Sequence, residues 1–455
     1  MADQSTNPAA LFGNDFEGKP VLTAAAVSSP PRLRKPQRDQ GEMFTESLDG
    51  RIESDHTVRT VWAFVEQMDL SLLLSQIKSV QGHQGRNSTD PRILLALWLY
   101  ASIEGVGSAR QLEQLCEDHR AYQWICGKVS VNYHTLSDFR TGQGKLLDQL
   151  LAQSIASLVQ EGLVDVNTVA QDGMRIRASA GSSSFRRKGK LQEHLNDAKQ
   201  HLETLKAEIE MNPAQLESRR RKAQLRAAQE KKHRLEQALE HVQQIAQGRN
   251  ARKKGDGDKA RASHTDPQAR RMKMPDGGTR PAYNAQFATD TKTGVIVGVD
   301  ATNACNDANQ LTPMVEEVRL NTDRRPEKIL VDGSYSTRKN VNWAAANQIV
   351  LYTPVKDVKK QVEAGKDPYA PHKGDSPAMI AFRERMNQDE SKAIYQLRGQ
   401  TAEWVNAQAR NRGLYMVNVR GKEKVRAVLV LMVLAHNLLQ AEKLREQRRN
   451  EGQGG

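Results

Sequence analysis

At 455 residues the chain exceeds what one hydrophobic core usually organises, so two or three domains are expected. Its 67 Lys and Arg outnumber 54 Asp and Glu, and the net charge of +13 favours polyanionic partners such as DNA, RNA or an acidic membrane surface. Three cysteines, Cys116, Cys126 and Cys305, show no CxxC or Cys/His spacing, which argues against a structural zinc and a disulfide framework and suits a reducing cytoplasm.

Residues 1–45 mix Pro, Ser, Ala, Asn and basic residues without sustained periodicity and read as a disordered leader. Helical spacing then dominates 46–160, with apolar residues at Val61, Phe64, Val65, Met68 and Leu72, and again through PRILLALWLYASIEG and SARQLEQLCEDHRAYQWICG. Pro91 after Asp90 and Ser108 before Ala109 are helix-start signals. The stretch VNYHTLSDFRTGQGKLLDQLL closes this all-helical N-terminal domain, with Ser137 as a candidate N-cap and Arg140 and Lys145 expected to face outward. DNA binding and plain helix packing explain that stretch equally well.

At Val164 the period changes, because VDVNTVAQDGMRIRASA alternates and is valine-rich, as a buried strand is. Two further strand runs in YNAQFATDTKTGVIVGVDAT are joined by a turn at Thr291, Lys292, Thr293 and Gly294. A helix over 309–319, a strand in KILVDGSY, a helix over 337–346 and a strand in IVLYTPV follow. The order β-ββ-α-β-α-β predicts an α/β domain with a mixed sheet over 161–440. The apolar run 425–439 is short for a membrane span and carries Arg426, His436 and Asn437, so it reads as a buried helix in which His436 and Asn437 are a satisfied polar pair. Residues 441–455 read as a polar tail.

An insertion over 185–265 separates the first strand from the next two. Leu191, Leu195, Ala198, Leu202, Leu205 and Ile209 form one heptad seam, and Leu225, Ala228, Lys232, Leu235, Leu239 and Val242 form a second after Asn212 and Pro213. Two matched seams about a proline predict an antiparallel helical hairpin. The stretch 181–280 holds 24 basic and 13 acidic residues, so most of the surplus charge lies here. The basic, Gly/Ser-rich flanks, with Arg186, Arg187 and Lys188 on one side and Lys253 and Lys254 on the other, suit flexible arms laid on a phosphate backbone.

Carboxylates at strand ends are the parts needed to hold divalent metals for phosphodiester chemistry. Asp172 follows the predicted strand VNTVAQ and Asp332 follows KILV, each succeeded by a glycine that allows a sharp turn. Asp300 also ends a strand, whereas Asn303, Asn306, Asp307 and Gln310 look like turn and cap residues, and Tyr335 is placed to pack beneath Asp332. Downstream, KAIYQLRGQTAEWVNAQARNRGL is helical and sets Tyr395, Arg398, Glu403 and Arg410 in order, with Glu403 and Arg410 two turns apart on one face.

These motifs resemble the bacterial insertion-sequence DDE transposases, whose glutamate helix bears a tyrosine, arginine, glutamate, lysine signature. Tyr395, Arg398 and Glu403 match it, Arg410 stands in place of the lysine, and the arginine-to-glutamate gap is one residue longer than the commonest form. The resemblance spans about 50–440, including LALWLYASIEGVGSARQLEQLCED, TDPQARRMKM, YNAQFATD, VDGSY and LAHNLL. It implies an RNase H-like catalytic domain in which Asp172, Asp332 and Glu403 are the catalytic metal ligands, holding two Mg²⁺ ions, with Mn²⁺ able to substitute. It also implies that Tyr395, Arg398 and Arg410 hold DNA. The activity implied is cleavage at terminal inverted repeats and joining to target DNA, by a homodimer or larger assembly in a bacterial cytoplasm, associated with the nucleoid and not with a membrane. A catalytically inactive, transposon-derived DNA-binding protein is the competing reading, against which the complete triad and signature helix speak.

Overall fold

A computed structural model of the chain describes residues 47–75, 77, 88–211 and 219–453; the leader expected over 1–45 lies outside them. Seven helices come first: α1 (Thr57–Gln67), α2 (Ser71–Ser75), α3 (Pro91–Ile103), α4 (Ala109–Asp118), α5 (Arg120–Cys126), α6 (Tyr133–Gly142) and α7 (Gly144–Gln160). Asp90 caps the Arg92 amide with Pro91 in the first turn of α3, and Ser108 caps the Gln111 amide of α4. Helix α3 is buried nearly all round, as its unbroken apolar sequence requires. The end of this region departs from the sequence expectation. Asn132, not Ser137, caps α6, and Arg140 is buried, its guanidinium 4.0 Å from the Trp98 ring centroid and donating to the Gly107 carbonyl at 2.8 Å. Lys145 is exposed as expected.

The sheet uses β1 (Thr168–Arg177), β4 (Arg270–Lys273), β5 (Thr279–Asp290), β6 (Ile296–Thr302), β7 (Lys328–Leu330) and β8 (Val350–Tyr352); β2 (Phe185–Arg186) and β3 (Ala262–Ser263) form a separate ribbon. β5 pairs antiparallel with β1 on one side and with β4 and β6 on the other, while β7 joins β1 and β8 in parallel. Between β1 and β5 stand α8 (Lys188–Met211) and α9 (Arg219–Arg252). Their seams meet antiparallel: Leu191, Leu195 and Ala198 pack with Leu235, Leu239 and Val242, and Leu202 and Leu205 with Leu225 and Ala228. The flanks expected as flexible arms are instead pinned together, since Phe185 and Arg186 pair with Ser263 and Ala262, and the Ser184 and Ser263 hydroxyls are 2.7 Å apart.

The remaining helices are α10 (Leu311–Thr322), α11 (Arg338–Ala346), α12 (Val358–Glu363), α13 (Pro377–Asn387), α14 (Asp389–Arg398), α15 (Trp404–Asn411) and α16 (Lys422–Gln453), so the stretch expected as a polar tail is helical through Gln453. By length and composition α16 could cross a membrane, yet 67% of its most apolar window is buried inside the protein. Residues of α1, α3, α6, α7, β1, β5, β6 and α16 share one continuous hydrophobic core. His436 bonds the Gly294 carbonyl and Asn437 bonds both the amide and the carbonyl of Ile296, so this polar pair is satisfied against the β5–β6 turn.

At the β6 edge one arginine ties four elements. Arg426 of α16 meets Asp148 of α7 at 3.1 Å, Asp300 of β6 at 3.1 Å, Glu317 of α10 at 2.6 Å and the Val299 carbonyl at 2.5 Å. Asp300 therefore belongs to this clamp. Replacing Arg426 by Met leaves three carboxylates around a neutral side chain. The expected loss is about 2–4 kcal/mol, somewhat under the roughly 3–5 of a fully buried pair, and the midpoint of urea unfolding reads it directly.

Asp290, at the end of β5, is buried beyond the help of its Thr293 partners, and burial pushes its carboxyl up to about 6 from 3.8. A raised folded-state value means that the native protein holds this proton more tightly than the unfolded chain. That contribution to stability is complete below pH 3.8 and is lost as the pH rises through about 6. Unfolding free energies measured across this window should fall more steeply for the wild type than for Asp290→Asn.

Candidate active site

Three backbone pairs set the position of the two aspartates. Thr168, Val169 and Ala170 of β1 lie beside Lys328, Ile329 and Leu330 of β7, each offset by 160 residues, and Asp172 and Asp332 keep that offset. Parallel neighbours are roughly 4.8 Å apart, and Asp172 and Asp332 each come two residues after the last of these pairs, Ala170 beside Leu330. Asp172 lies within β1, not after it, and Gly173 continues the strand instead of turning it. β7 ends at Leu330, and Asp332 then opens a 3₁₀ turn, its Oδ1 accepting from the Ser334 amide at 2.8 Å and the Ser334 hydroxyl at 2.6 Å.

Asp172 is mostly buried. Its Oδ1 takes the Gly173 amide at 2.9 Å, and its Oδ2 takes Asn406 Nδ2 at 2.9 Å and Arg398 Nη2 at 3.1 Å. Burial raises its carboxyl above the usual range, the Arg398 guanidinium draws it back, and the Asp332 charge adds to the rise. Arg398, with 12% of its side chain exposed, also holds Glu403 Oε1 through Nη1 at 3.0 Å, so one guanidinium joins the first and third carboxylates. Tyr395, one turn earlier on α14, is half-buried; burial raises its phenol, Arg398 opposes that, and the charges of Asp332, Asp172 and Glu403 add to it.

Glu403 closes a π-helical turn, Gly399–Glu403, inserted between α14 and α15. Such a wide turn absorbs one extra residue in a helix. The longer arginine-to-glutamate spacing in the sequence is thus taken up locally, and Arg398 and Glu403 still share a face. Glu403 keeps 63% of its side chain exposed, and Arg410, two turns on, is exposed too.

Tyr395, Arg398, Asp172, Asp332 and Glu403 therefore gather in one place. Arg187, Lys188, Lys253 and Lys254 lie exposed at the base of the hairpin, with Arg186 half-buried in the ribbon. Asn406 was not among the sequence candidates. It sits on the stripe Ala402, Val405, Asn406 and Ala409, and a polar residue on a buried stripe is the signal that marks it. Asp307 opens the turn before α10, its carbonyl accepting from the Gln310 amide at 2.9 Å, but its side chain does not cap it: Oδ1 is buried between Asn284 Nδ2 at 2.5 Å and Gln286 Nε2 at 2.6 Å.

Among the described residues no three His, Cys, Asp or Glu side chains are drawn close enough to hold a metal, and Arg398 pairs with both Asp172 and Glu403. The donor chemistry nevertheless fits a divalent cation that prefers oxygen. Asp172 and Asp332 lie near enough that the charge of Asp332 raises the Asp172 carboxyl. Beside them, the Asn406 Oδ1 acceptor is buried without a partner among the described residues.

Residues 46–142 match a family model described as a transposase domain (DUF772), and residues 255–438 match one described as a transposase DDE domain. The second match takes in Asp332, Tyr395, Arg398, Glu403 and Arg410, while Asp172 and the helical hairpin up to residue 254 lie outside both. No curated protein and no solved structure matches the chain. Two transposase domains in chain order, together covering well over half of the 455 residues, place the chain in the insertion-sequence DDE transposases.

Proposed function

We propose that this transposase cuts the terminal inverted repeats of an insertion sequence and joins the freed ends to target DNA, with Asp172, Asp332 and Glu403 as its catalytic carboxylates. The observation that carries this reading is that Asp172 and Asp332 each follow by two residues the last parallel pair of β1 and β7, Ala170 beside Leu330, with Glu403 joined to Asp172 through Arg398. The sheet order β6-β5-β1-β7-β8, antiparallel up to β1 and parallel beyond it, supports an RNase H-like catalytic domain.

Asp172, Asp332 and Glu403 would hold divalent metal, two Mg²⁺ ions with Mn²⁺ able to substitute. Bound there, the metal supplies Lewis-acid activation of an attacking oxygen and charge neutralisation at a departing 3′-oxygen. Arg398 holds the carboxylates in place and, when released from Glu403, offers a guanidinium fork to a phosphate. Tyr395 and exposed Arg410 flank the same helix and would fix the strand beside the cut.

The hairpin has two unlike sides. Helix α8 carries 4 basic and 5 acidic residues, and α9 carries 10 basic and 3 acidic, which favours α9 as the side that meets the phosphate backbone. Arg186, Arg187, Lys188, Lys253 and Lys254 at its base extend that contact toward the sheet. The helices of 57–160 would bind the repeat sequence, and pairing of two ends calls for a homodimer or larger assembly in the bacterial cytoplasm, at the nucleoid.

The primary test is Mg²⁺-dependent cleavage of a supercoiled plasmid carrying the repeat ends. Asp172→Ala, Asp332→Ala and Glu403→Ala should each lower the rate by roughly 10³-fold or more while sparing end binding. Cleavage that survives any of them removes that residue from the triad.

Hairpin contact is read separately by the salt dependence of end binding. Changing Arg220, Lys222, Arg226 and Lys231 to Gln should weaken binding and lower the slope of log K against log salt by up to about 0.9 per lost phosphate contact. Equal loss from Lys199→Gln and Lys206→Gln on α8 would contradict the assignment of α9.

A further inference from the structure

Successive residues of a strand face opposite sides, so Gln171 and Gly173 lie on the face of β1 away from Asp172. There a buried amide network fills the sheet. Gln171 Nε2 donates to Gln286 Oε1 at 3.0 Å and to the Gln310 carbonyl at 3.0 Å, and Gln286 Nε2 donates to Asp307. Gly173 is required here, since a Cβ would collide with the side chains of Gln286, Asp307 and Asn284.

The network reaches the second aspartate through one bond. Tyr335, which closes the turn opened by Asp332, is fully buried, and its hydroxyl donates to Gln286 Oε1 at 2.6 Å. Asn340 of α11 steadies the same turn by donating to the Tyr335 and Ala308 carbonyls, both at 2.8 Å. The Tyr335 ring belongs to a buried hydrophobic cluster, where a phenylalanine ring would fill the same space. Its hydroxyl adds one thing that packing does not. It ties the Asp332 turn to β5 and, through Gln171, back to the residue before Asp172.

We propose that Tyr335 is a positioning residue that, through Gln286 and Gln171, fixes the spacing of the Asp172 and Asp332 carboxylates and so sets their affinity for a divalent cation. This rests on the reading of the two aspartates as metal ligands. Supporting groups of this kind commonly alter metal affinity by about 10–100-fold while touching no metal themselves.

Mn²⁺ binding to the full chain, followed by the loss of free-ion electron paramagnetic resonance signal, tests the idea without relying on activity. Tyr335→Phe and Gln171→Met should each weaken binding about tenfold, with thermal midpoints close to the wild type, and the double variant should be no weaker than about the worse single one, as members of one network behave. Asp172→Asn serves as the reference for the site. If it loses Mn²⁺ while Tyr335→Phe binds within about twofold of wild type, the positioning role is wrong and the metal site stands. If Asp172→Asn binds like wild type, the metal-site reading fails and the inference with it. Should Tyr335→Phe not fold, Gln171→Met decides between the same outcomes.

Discussion

The parallel pairing of β1 with β7 is the constraint on which the site depends. Only three residue pairs define it, yet they bring together two carboxylates that are 160 residues apart in the chain. A slip of one residue would turn Asp172 from the helix side of the sheet to the amide side, because strand faces alternate. It would also drive a charged group into the space that Gly173 leaves for Gln286 and Asp307. The amide network and the carboxylate pair are thus two faces of one register. β5 reinforces it by pairing with β1 from Val169 to Arg177, well past the end of β7.

Bringing like charges together requires a cation, and the Arg398 guanidinium, paired with Asp172 and Glu403, supplies one. Five residues along an α-helix correspond to a rotation of about 140° away from the starting direction, which would carry Glu403 off the Arg398 face. The π-helical turn widens the path by one residue and restores the alignment. The longer spacing in this chain and the local unwinding are therefore a matched pair. Either alone would point the glutamate away from the aspartates.

Much of this was legible in the sequence because it is written in local patterns. The heptad seams of α8 and α9, the caps at Asp90 and Ser108, the order of strands and helices, and the buried reading of His436 and Asn437 all follow from periodicity and residue chemistry. What escaped depends on partners distant in the chain. Arg140 looks like an exposed basic residue until Trp98 is placed beneath it. Asp307 is the turn residue it looks like through its backbone, but only β5 shows that its carboxylate serves Asn284 and Gln286. Composition suggested mobile arms at 185 and 265, and only the pairing of Arg186 with Ala262 reveals a clasp. The Arg426 clamp likewise assembles from four separate elements, with no local pattern to announce it.

That clasp bears on how the chain reaches its fold. β1 must find β5 across more than a hundred residues, and non-local strand pairing is what slows folding. A helical hairpin forms early from contacts close in sequence, and the β2–β3 ribbon then joins its two ends. Once it has closed, the flexible path between β1 and β5 is shortened roughly four-fold, which lowers the entropy cost of bringing the strands together by about 1.2 kcal/mol. The longest interruption in the six-stranded sheet is, in kinetic terms, a shortcut across it.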